Sequence, residues 1–245
     1  MSDPVRLSHR VCELFGLSRA DAEQFIQNGW VSVDGQVVEA PQHRVTTERV
    51  ELDPNARLDA VEPATILLHK PAGIDIDDGG KVILSLVTPE TRWVDDPSGE
   101  RLLRRHFHRL TALVPLDAEA SGLVVLTQDG RVWRRLTEDA ALIEHEYVVE
   151  VSGQIAAGGL ERLGHGLRFN GYALPPCKVS WQNETRLRFA IKGVGAGQLR
   201  DMCKQVGLEV VSIRRLRIGR VALGKGPNGA MPAGTWRYLP VGDRF

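Results

Sequence analysis

The sequence predicts an α+β fold. Segments with strand-like alternation and segments with helical periodicity are mixed along the chain, without the regular βαβ order of a parallel α/β protein. The 245 residues suffice for one medium domain and one small domain. A stretch with proline near both ends, residues 54–64, indicates a linker, so we predict domains at 1–60 and 64–245.

The first domain is predicted to contain two short helices, a hairpin and one further strand within residues 5–53. Ser18 is a favourable helix N-cap, and Asp21 three residues later approaches the capping-box pattern. The stretch WVSVDGQVV alternates valines with polar residues and contains Asp34-Gly35, a strong hairpin turn. About fifty residues make a small hydrophobic core for an independent domain.

The rest of the chain combines strands, loops and helices. ILLHKPAG is an apolar strand that ends in a Lys-Pro turn, and GLVVLTQDG is a buried strand closed by an Asp-Gly turn. Residues 71–109 are predicted to form loops around one short helix from Ile83 to Val87. Further strands are predicted at 144–153, 177–182, 186–192 and 208–218, and further helices at 131–139 and 197–206.

The composition indicates a soluble globular protein of the cytoplasm. No apolar run approaches the roughly 20 residues that a membrane-spanning helix requires. The N-terminal stretch MSDPVRLSHR lacks the basic and then apolar regions of a signal peptide. The three cysteines lie far apart in the sequence, which favours a reducing compartment over a disulfide framework.

Charge is distributed unevenly although the formal net charge is zero. Residues 1–62 hold six Lys or Arg against eleven Asp or Glu, so this part is acidic. Residues 186–237 are strongly basic, with only Asp201 and Glu209 opposing eleven cations. This asymmetry is typical of a C-terminal part that binds a polyanion, although a solvated surface explains it equally well.

Three polar residues stand beside predicted regular elements in places suited to chemistry. Asp117 precedes a tight turn into a buried strand, Tyr147 lies near the start of a strand, and Arg200 lies in the first turns of a helix. Each has an ordinary structural explanation, as a cap, a core residue and a surface charge respectively. The pair His106 and His108 lacks a third ligand at suitable spacing, so we expect no metal site.

The order of four motifs resembles the RsuA-type family of ribosomal RNA pseudouridine synthases, and its RluF branch most closely. LVPLDAEASGLVVLTQDG is similar to the family's GRLDxxSxGLxxLTxDG, and HEYVV to its KEYxV signature. AGQLRDMC is similar to the family's NRQIRRMC. The stretch from Arg215 through Leu239 is similar to the family's terminal segment, with an insertion at 225–230. Residues 5–53 resemble a small RNA-binding domain, S4-like, shared with a small-subunit ribosomal protein.

The resemblance implies a small S4-like domain followed by a catalytic domain with a mixed, mainly antiparallel sheet flanked by helices. It implies that Asp117 is the catalytic residue, that Tyr147 lies in the active site and that Arg200 pairs with Asp117. The implied reaction converts a uridine, within ribosomal RNA of the large subunit, to pseudouridine after base flipping, and it needs no cofactor or metal. The implied protein is a monomer.

The chemistry is consistent with these roles and leaves the mechanism open. The carboxylate either attacks the ribose C1′ or removes a proton from C2′, and both actions need its ionised form. An aromatic ring can stack on the detached uracil, and its hydroxyl can assist the loss of the C5 proton. Ribosomal RNA is the expected partner, with transfer RNA as the alternative. The expected RNA contacts are Arg19, Lys70, Arg105, Arg109, Gln198, Arg214, Arg215 and Arg217.

The chain departs from the family motifs at three positions that carry cations elsewhere. Pro115 replaces the arginine of GRLD, and Gly197 and Asp201 replace arginines of NRQIRRM. Their loss is expected to weaken RNA affinity and its salt dependence, with Arg105 or Arg109 as a substitute for the base-flipping cation. A catalytically impaired RNA-binding or ribosome-assembly protein is therefore the second hypothesis. A protein-binding module that uses the acidic first domain is the third.

Overall fold

The computed structural model describes residues 3–58, 62–76, 80–227 and 229–245. The chain divides into two compact units, Met1–Pro63 together with Arg101–His108, and Ala64–Glu100 together with Arg109–Phe245. The segment Arg101–His108 thus belongs to the first unit. The domains predicted from the sequence, 1–60 and 64–245, are contiguous and place this segment in the second domain. No helix within the described ranges is long and apolar enough to cross a membrane.

The first unit contains the two helices and the hairpin that the sequence predicts. Ser18 caps the second helix by accepting a hydrogen bond from the Asp21 backbone at 3.1 Å, as predicted. Asp34 and Gly35 have φ values of 49° and 80° and form the predicted hairpin turn. The elements are β1 (Val5–Arg6), α1 (Leu7–Phe15), α2 (Arg19–Gln27), β2 (Val31–Val33), β3 (Gln36–Val37), β4 (Arg44–Val45) and β5 (Val50–Leu52).

Residues 101–108 are held in this unit by a charge and an aromatic ring. The Arg101 guanidinium donates to the Asp53 carboxylate at 2.9 Å and lies 3.9 Å from the ring centroid of Trp30. Leu103 is buried and lies against Gly29, where a side chain would collide with it. These contacts explain why the segment folds with the first unit although it is distant in sequence.

The second unit is built on a mixed, mainly antiparallel sheet, as predicted. The main strands are β6 (Thr65–Lys70), β7 (Thr111–Leu113), β8 (Ser121–Thr127), β9 (Glu144–Gly153), β12 (Lys178–Asn183), β13 (Arg186–Lys192), β14 (Leu208–Ile218), β15 (Val221–Ala222) and β18 (Trp236–Tyr238). They lie in the order β12-β13-β9-β14-β8-β6-β18, with β15 beside β14 and β7 beside β8. Among the paired strands of the described residues, only β14 and β8 run parallel.

Short helices and hairpins complete the second unit. The helix predicted at 197–206 is α6 (Gln198–Gln205), which packs on β14. The short helix predicted from Ile83 to Val87 lies two residues earlier. The remaining elements are α3 (Lys81–Ser85), α4 (Gly130–Thr137), α5 (Gly159–Gly164), β10 (Arg168–Phe169), β11 (Tyr172–Ala173), β16 (Lys225–Gly226) and β17 (Gly229–Ala230). Leu187, Phe189 and Val149 of the sheet form a core with Leu199 and Met202 of α6.

Gly122 permits the close parallel approach of β8 and β14. Its φ is 119°, and a Cβ at this position would lie 2.3 Å from the Arg215 carbonyl oxygen. We expect Gly122→Ala to lower the free energy of unfolding by about 3 kcal/mol, because strain and collision add. Urea denaturation measures the loss. Gly166→Ala is the matched control, since Gly166 has a φ of 102° but open space around it. Equal losses in the two variants would contradict the close-approach explanation.

Candidate active site

Asp117 lies half-buried on the loop between β7 and β8, and a buried lysine holds this loop from beneath. Lys70 Nζ donates to the carbonyl oxygens of Ala118 and Ala120, at 2.9 and 2.8 Å, and to that of Pro71 at 3.0 Å. Burial lowers the pKa of Lys70 to about 8. We predicted Lys70 as an RNA contact, but the residue is 0 % exposed. It positions the loop that carries Asp117.

The N-terminus of α6 faces the Asp117 carboxylate. The backbone N–H of Gly197, the N-cap residue, donates to Asp117 Oδ2 at 3.1 Å. This bond and the partial positive charge of a helix N-terminus both favour negative charge on the carboxylate. Gln198, another predicted RNA contact, is buried, and its Oε1 accepts from the Gly195 backbone at 3.0 Å. Gln198 therefore shapes the turn that supplies this bond.

Arg215 joins the Asp117 loop to Tyr147 from within the protein. The residue is 1 % exposed, and its nitrogens donate to the carbonyl oxygens of Leu123 at 2.7 Å, Pro115 at 3.2 Å and Val114 at 2.6 Å. Arg215 of β14 stands directly opposite Tyr147 of β9, and its positive charge attracts the charge of Asp117. We predicted Arg215 as an RNA contact. Its burial makes it a structural centre of the site.

His145 is the second polar partner of Tyr147. Its Nδ1 lies 3.3 Å from the Tyr147 hydroxyl oxygen. Burial, together with the charges of Arg215 and Arg217, lowers the pKa of His145 to about 4, so the imidazole is neutral near pH 7. Because Arg215 can only donate, the neutral imidazole is the group placed to accept the hydroxyl proton.

A cavity of about 400 Å³ opens between these groups. Its walls combine the polar groups of Asp117, Tyr147 and Asp75 with the apolar side chains of Leu199 and Ile213. This volume lies within the usual range of small-molecule pockets. The cavity can hold one flipped base, with a carboxylate on one side and an aromatic ring among its walls.

Comparison with known proteins identifies the family of this chain. A family model described as RNA pseudouridylate synthase matches residues 64–186, and an S4 domain model matches residues 5–50. The chain is 31% identical over 242 residues to the ribosomal small subunit pseudouridine synthase A of Pseudomonas aeruginosa, and 96% of each chain is covered. The chain belongs to the RNA pseudouridine synthase family.

Other relatives of the synthase agree with this assignment. An uncharacterized RNA pseudouridine synthase of Aquifex aeolicus is 27% identical, with 96% of this chain and 92% of the relative covered. The dual-specificity RNA pseudouridine synthase RluF of Salmonella typhi is also 27% identical, with 96% and 75% covered. These identities confirm the predicted family and do not single out its RluF branch. A crystal structure of a pseudouridylate synthase shares the fold, with a TM-score of 0.56, 22% identity and 96% of both chains covered.

Arg200 of the synthase does not make the predicted pair with Asp117. Its guanidinium donates to the Val210 carbonyl of β14 at 3.2 Å, and no ion pair joins it to Asp117 in the described part of the chain. Arg200 lies one residue beyond Leu199, which lines the cavity, so the helical rotation turns it toward the strand. Arg215 is instead the arginine whose positive charge attracts Asp117, although the ion pairs seen in the described residues do not include one between these two.

Arg214 and Arg217 lie on the face of the sheet opposite the cavity. Side chains alternate along β14, so Arg214 points away from the face of its neighbours Ile213 and Arg215. An irregularity between Arg215 and Arg217 shifts the register, so that Arg217 stands opposite Glu146 and also points away from the cavity. Arg217 forms ion pairs with Glu144 at 2.8 Å and Glu146 at 3.1 Å. These two arginines, predicted to bind RNA, are therefore not parts of the cavity.

The remaining predicted RNA contacts lie elsewhere in the two units. Arg19 of the first unit forms an ion pair with Glu23 at 2.8 Å and lines a cavity of about 390 Å³ with Arg6 and Arg44. Arg105, also of the first unit, donates to the Asn28 side chain at 2.7 Å. In the second unit, Arg109 is exposed and has a positive φ of 54°.

The depressed pKa of His145 has a consequence for stability. Between about pH 6.5 and pH 4 the unfolded chain binds a proton at His145 that the folded chain does not, so stability falls as the pH is lowered through this range. We expect the titration of His145 to lower the free energy of unfolding by about 3 kcal/mol between about pH 6.5 and pH 4. Urea denaturation of wild type and His145→Gln at pH 7 and pH 4 measures it. A variant whose acid sensitivity equals that of wild type would contradict the buried, neutral state of His145.

Proposed function

We propose that the synthase converts a specific uridine of ribosomal RNA to pseudouridine, with Asp117 as the catalytic carboxylate. The observation that carries the proposal is the juxtaposition of Asp117 and Tyr147 in one base-sized cavity, where Arg215 lies beside both. Relatives that match nearly the whole chain bear the names of ribosomal small subunit and dual-specificity RNA enzymes. The first of these names, together with a ribosomal large subunit pseudouridine synthase B of Yersinia pestis that is 27% identical, favours ribosomal RNA over transfer RNA as the substrate.

The reaction exchanges one bond for another on the same ribose. The bond from C1′ to uracil N1 breaks, the base turns, and C5 bonds to C1′ before losing its proton, while N1 gains one. Asp117 either attacks C1′ or removes a proton from C2′ to begin this sequence. Its hydrogen bond from Gly197 leaves the second carboxylate oxygen available for either role.

Tyr147 is the residue that we assign to the detached uracil. Its side chain forms part of the cavity wall, Arg215 stands opposite it on the neighbouring strand, and its hydroxyl lies 3.3 Å from His145 Nδ1. A buried ring with a fixed hydroxyl partner keeps one orientation, which favours stacking over a base that must turn. The hydroxyl is also the group that we assign to assist loss of the C5 proton.

Release of tritium from 5-tritiated uridine tests the function, because pseudouridine formation removes the hydrogen at C5. We expect the purified protein to release tritium from unmodified ribosomal RNA transcripts, up to one equivalent per target site. Release from transfer RNA transcripts alone would reassign the substrate. Binding of ribosomal RNA without any release would favour the second hypothesis, an RNA-binding protein that retains the fold.

A further inference from the structure

A two-residue hairpin displays a tyrosine to solvent beside the active-site cavity. Strands β10 and β11 are joined by Asn170 and Gly171, whose φ values of 49° and 83° suit a tight hairpin turn. Arg168 closes the turn by donating to the Gly171 carbonyl at 2.7 Å. Tyr172 follows the turn and is 78 % exposed. An exposed ring on a rigid turn can offer a flat face to a planar ligand without first having to be ordered.

The hairpin is fixed to the helix that faces Asp117. Gln205 of α6 donates from Nε2 to the Arg168 carbonyl at 2.7 Å. A methyl group built on Gly195 would lie 3.4 Å from the Phe169 ring, so this ring touches the segment that lines the cavity. Phe169 and Tyr172 stand directly opposite each other in the hairpin, and their side chains share one face. Tyr172 therefore lies on the hairpin face whose Phe169 approaches Gly195 of the cavity wall.

The cavity-lining segment next to the hairpin carries no cation. Residues 194–197 are Val-Gly-Ala-Gly, and Asp201 lies in the first turn of the helix that follows. The cation of the hairpin itself, Arg168, donates to the Gly171 carbonyl and closes the turn. Strong salt-dependent phosphate capture is therefore not expected of this rim. An aromatic face offers stacking instead, which tolerates any base and needs no positive charge.

We propose that Tyr172 is an RNA-binding residue that stacks on an unpaired base next to the flipped uridine. The proposal rests on the proposed function, since that function requires an RNA strand to enter the cavity. Removing an aromatic stacking platform weakens binding by roughly 10- to 100-fold per base. Salt dependence should stay unchanged, because no phosphate contact is lost.

Trp133 supplies a matched control within the same unit. It is 44 % exposed and lies on α4, which follows β8, whereas Asp117 precedes β8. A strand of seven residues separates the two ends by about 20 Å. Trp133 is thus an exposed aromatic residue on the same body, at the end of β8 remote from the cavity.

Fluorescence anisotropy with a labelled single-stranded RNA tests the proposal. The probe has about twelve nucleotides, with a central uridine between adenines. We expect Tyr172→Ala to raise its Kd by roughly 10- to 100-fold, with the wild-type slope of log Kd against log salt. Tyr172→Phe and Trp133→Ala should both bind like wild type. An unchanged Kd for Tyr172→Ala, or an equal rise for Trp133→Ala, would overturn the proposal.

The binding measurement is independent of turnover. Tyr172-dependent binding without tritium release would refute the proposed function, and Tyr172 would then remain an RNA-binding residue of a protein that does not modify the RNA. Tritium release by a protein whose Tyr172→Ala variant binds the probe as wild type does would refute the inference alone.

Discussion

Asp117→Asn is expected to reduce pseudouridine formation by at least about 10⁴-fold. An amide is neither a nucleophile toward C1′ nor a base toward C2′, so both mechanisms fail in this variant. The amide oxygen can still accept the Gly197 N–H, and the side-chain volume is nearly unchanged. We therefore expect folding and RNA binding to persist, so that the loss lies in the chemical step.

Single-turnover tritium release, combined with urea denaturation, measures this prediction. Glu119→Gln is the control, because Glu119 is an exposed carboxylate two residues away on the same loop. It should retain wild-type rate and stability. A comparable rate in Asp117→Asn and Glu119→Gln would remove Asp117 from the mechanism.

Arg215→Lys is expected to have the second largest effect. The planar guanidinium donates to three carbonyl groups at once and lies beside Tyr147. The compact ammonium group of lysine cannot hold all of these groups together. We expect the rate of the chemical step to fall about 10²-fold, because the Asp117 loop and Tyr147 lose their common anchor. The free energy of unfolding should fall by about 3 kcal/mol, since a buried charge loses partners.

Arg214→Lys is the matched control for this substitution. Arg214 is the preceding residue on β14, but it is exposed on the opposite face of the sheet. Single-turnover rates and urea denaturation of both variants should separate them clearly. If Arg214→Lys lost as much activity as Arg215→Lys, the effect would belong to the strand and not to the buried network.

The sequence predicts the elements of the second unit well because their patterns are local. Strands β12, β13 and β14 and helix α6 lie where alternation and helical periodicity place them. Asp117 and Tyr147 were selected by motif order, and both line the cavity.

The arginine beside the site was harder to predict because it depends on strand register. β14 contains three arginines within four residues, and their types alone do not tell which one points inward. The pairing of Arg215 with Tyr147 decides this, and it joins strands that are distant in sequence. Arg200 was a reasonable choice from its motif, but it faces Val210.

Buried polar side chains were misjudged for a related reason. Lys70 and Gln198 were predicted as RNA contacts, which requires exposed side chains, and both are buried. The loops beside the cavity leave backbone groups that need partners, and these two side chains satisfy them. The long-range packing of residues 101–108 on the first unit likewise has no local signal.

The most direct test of the account is to map pseudouridine in total RNA from cells with and without the gene, using carbodiimide-dependent reverse-transcription stops. We predict that one stop in ribosomal RNA disappears without the gene, returns with the wild-type protein, and does not return with Asp117→Asn. Restoration of the stop by Asp117→Asn, or an identical stop pattern in both cell types, would contradict the assignment of Asp117 as the catalytic carboxylate of a ribosomal RNA pseudouridine synthase.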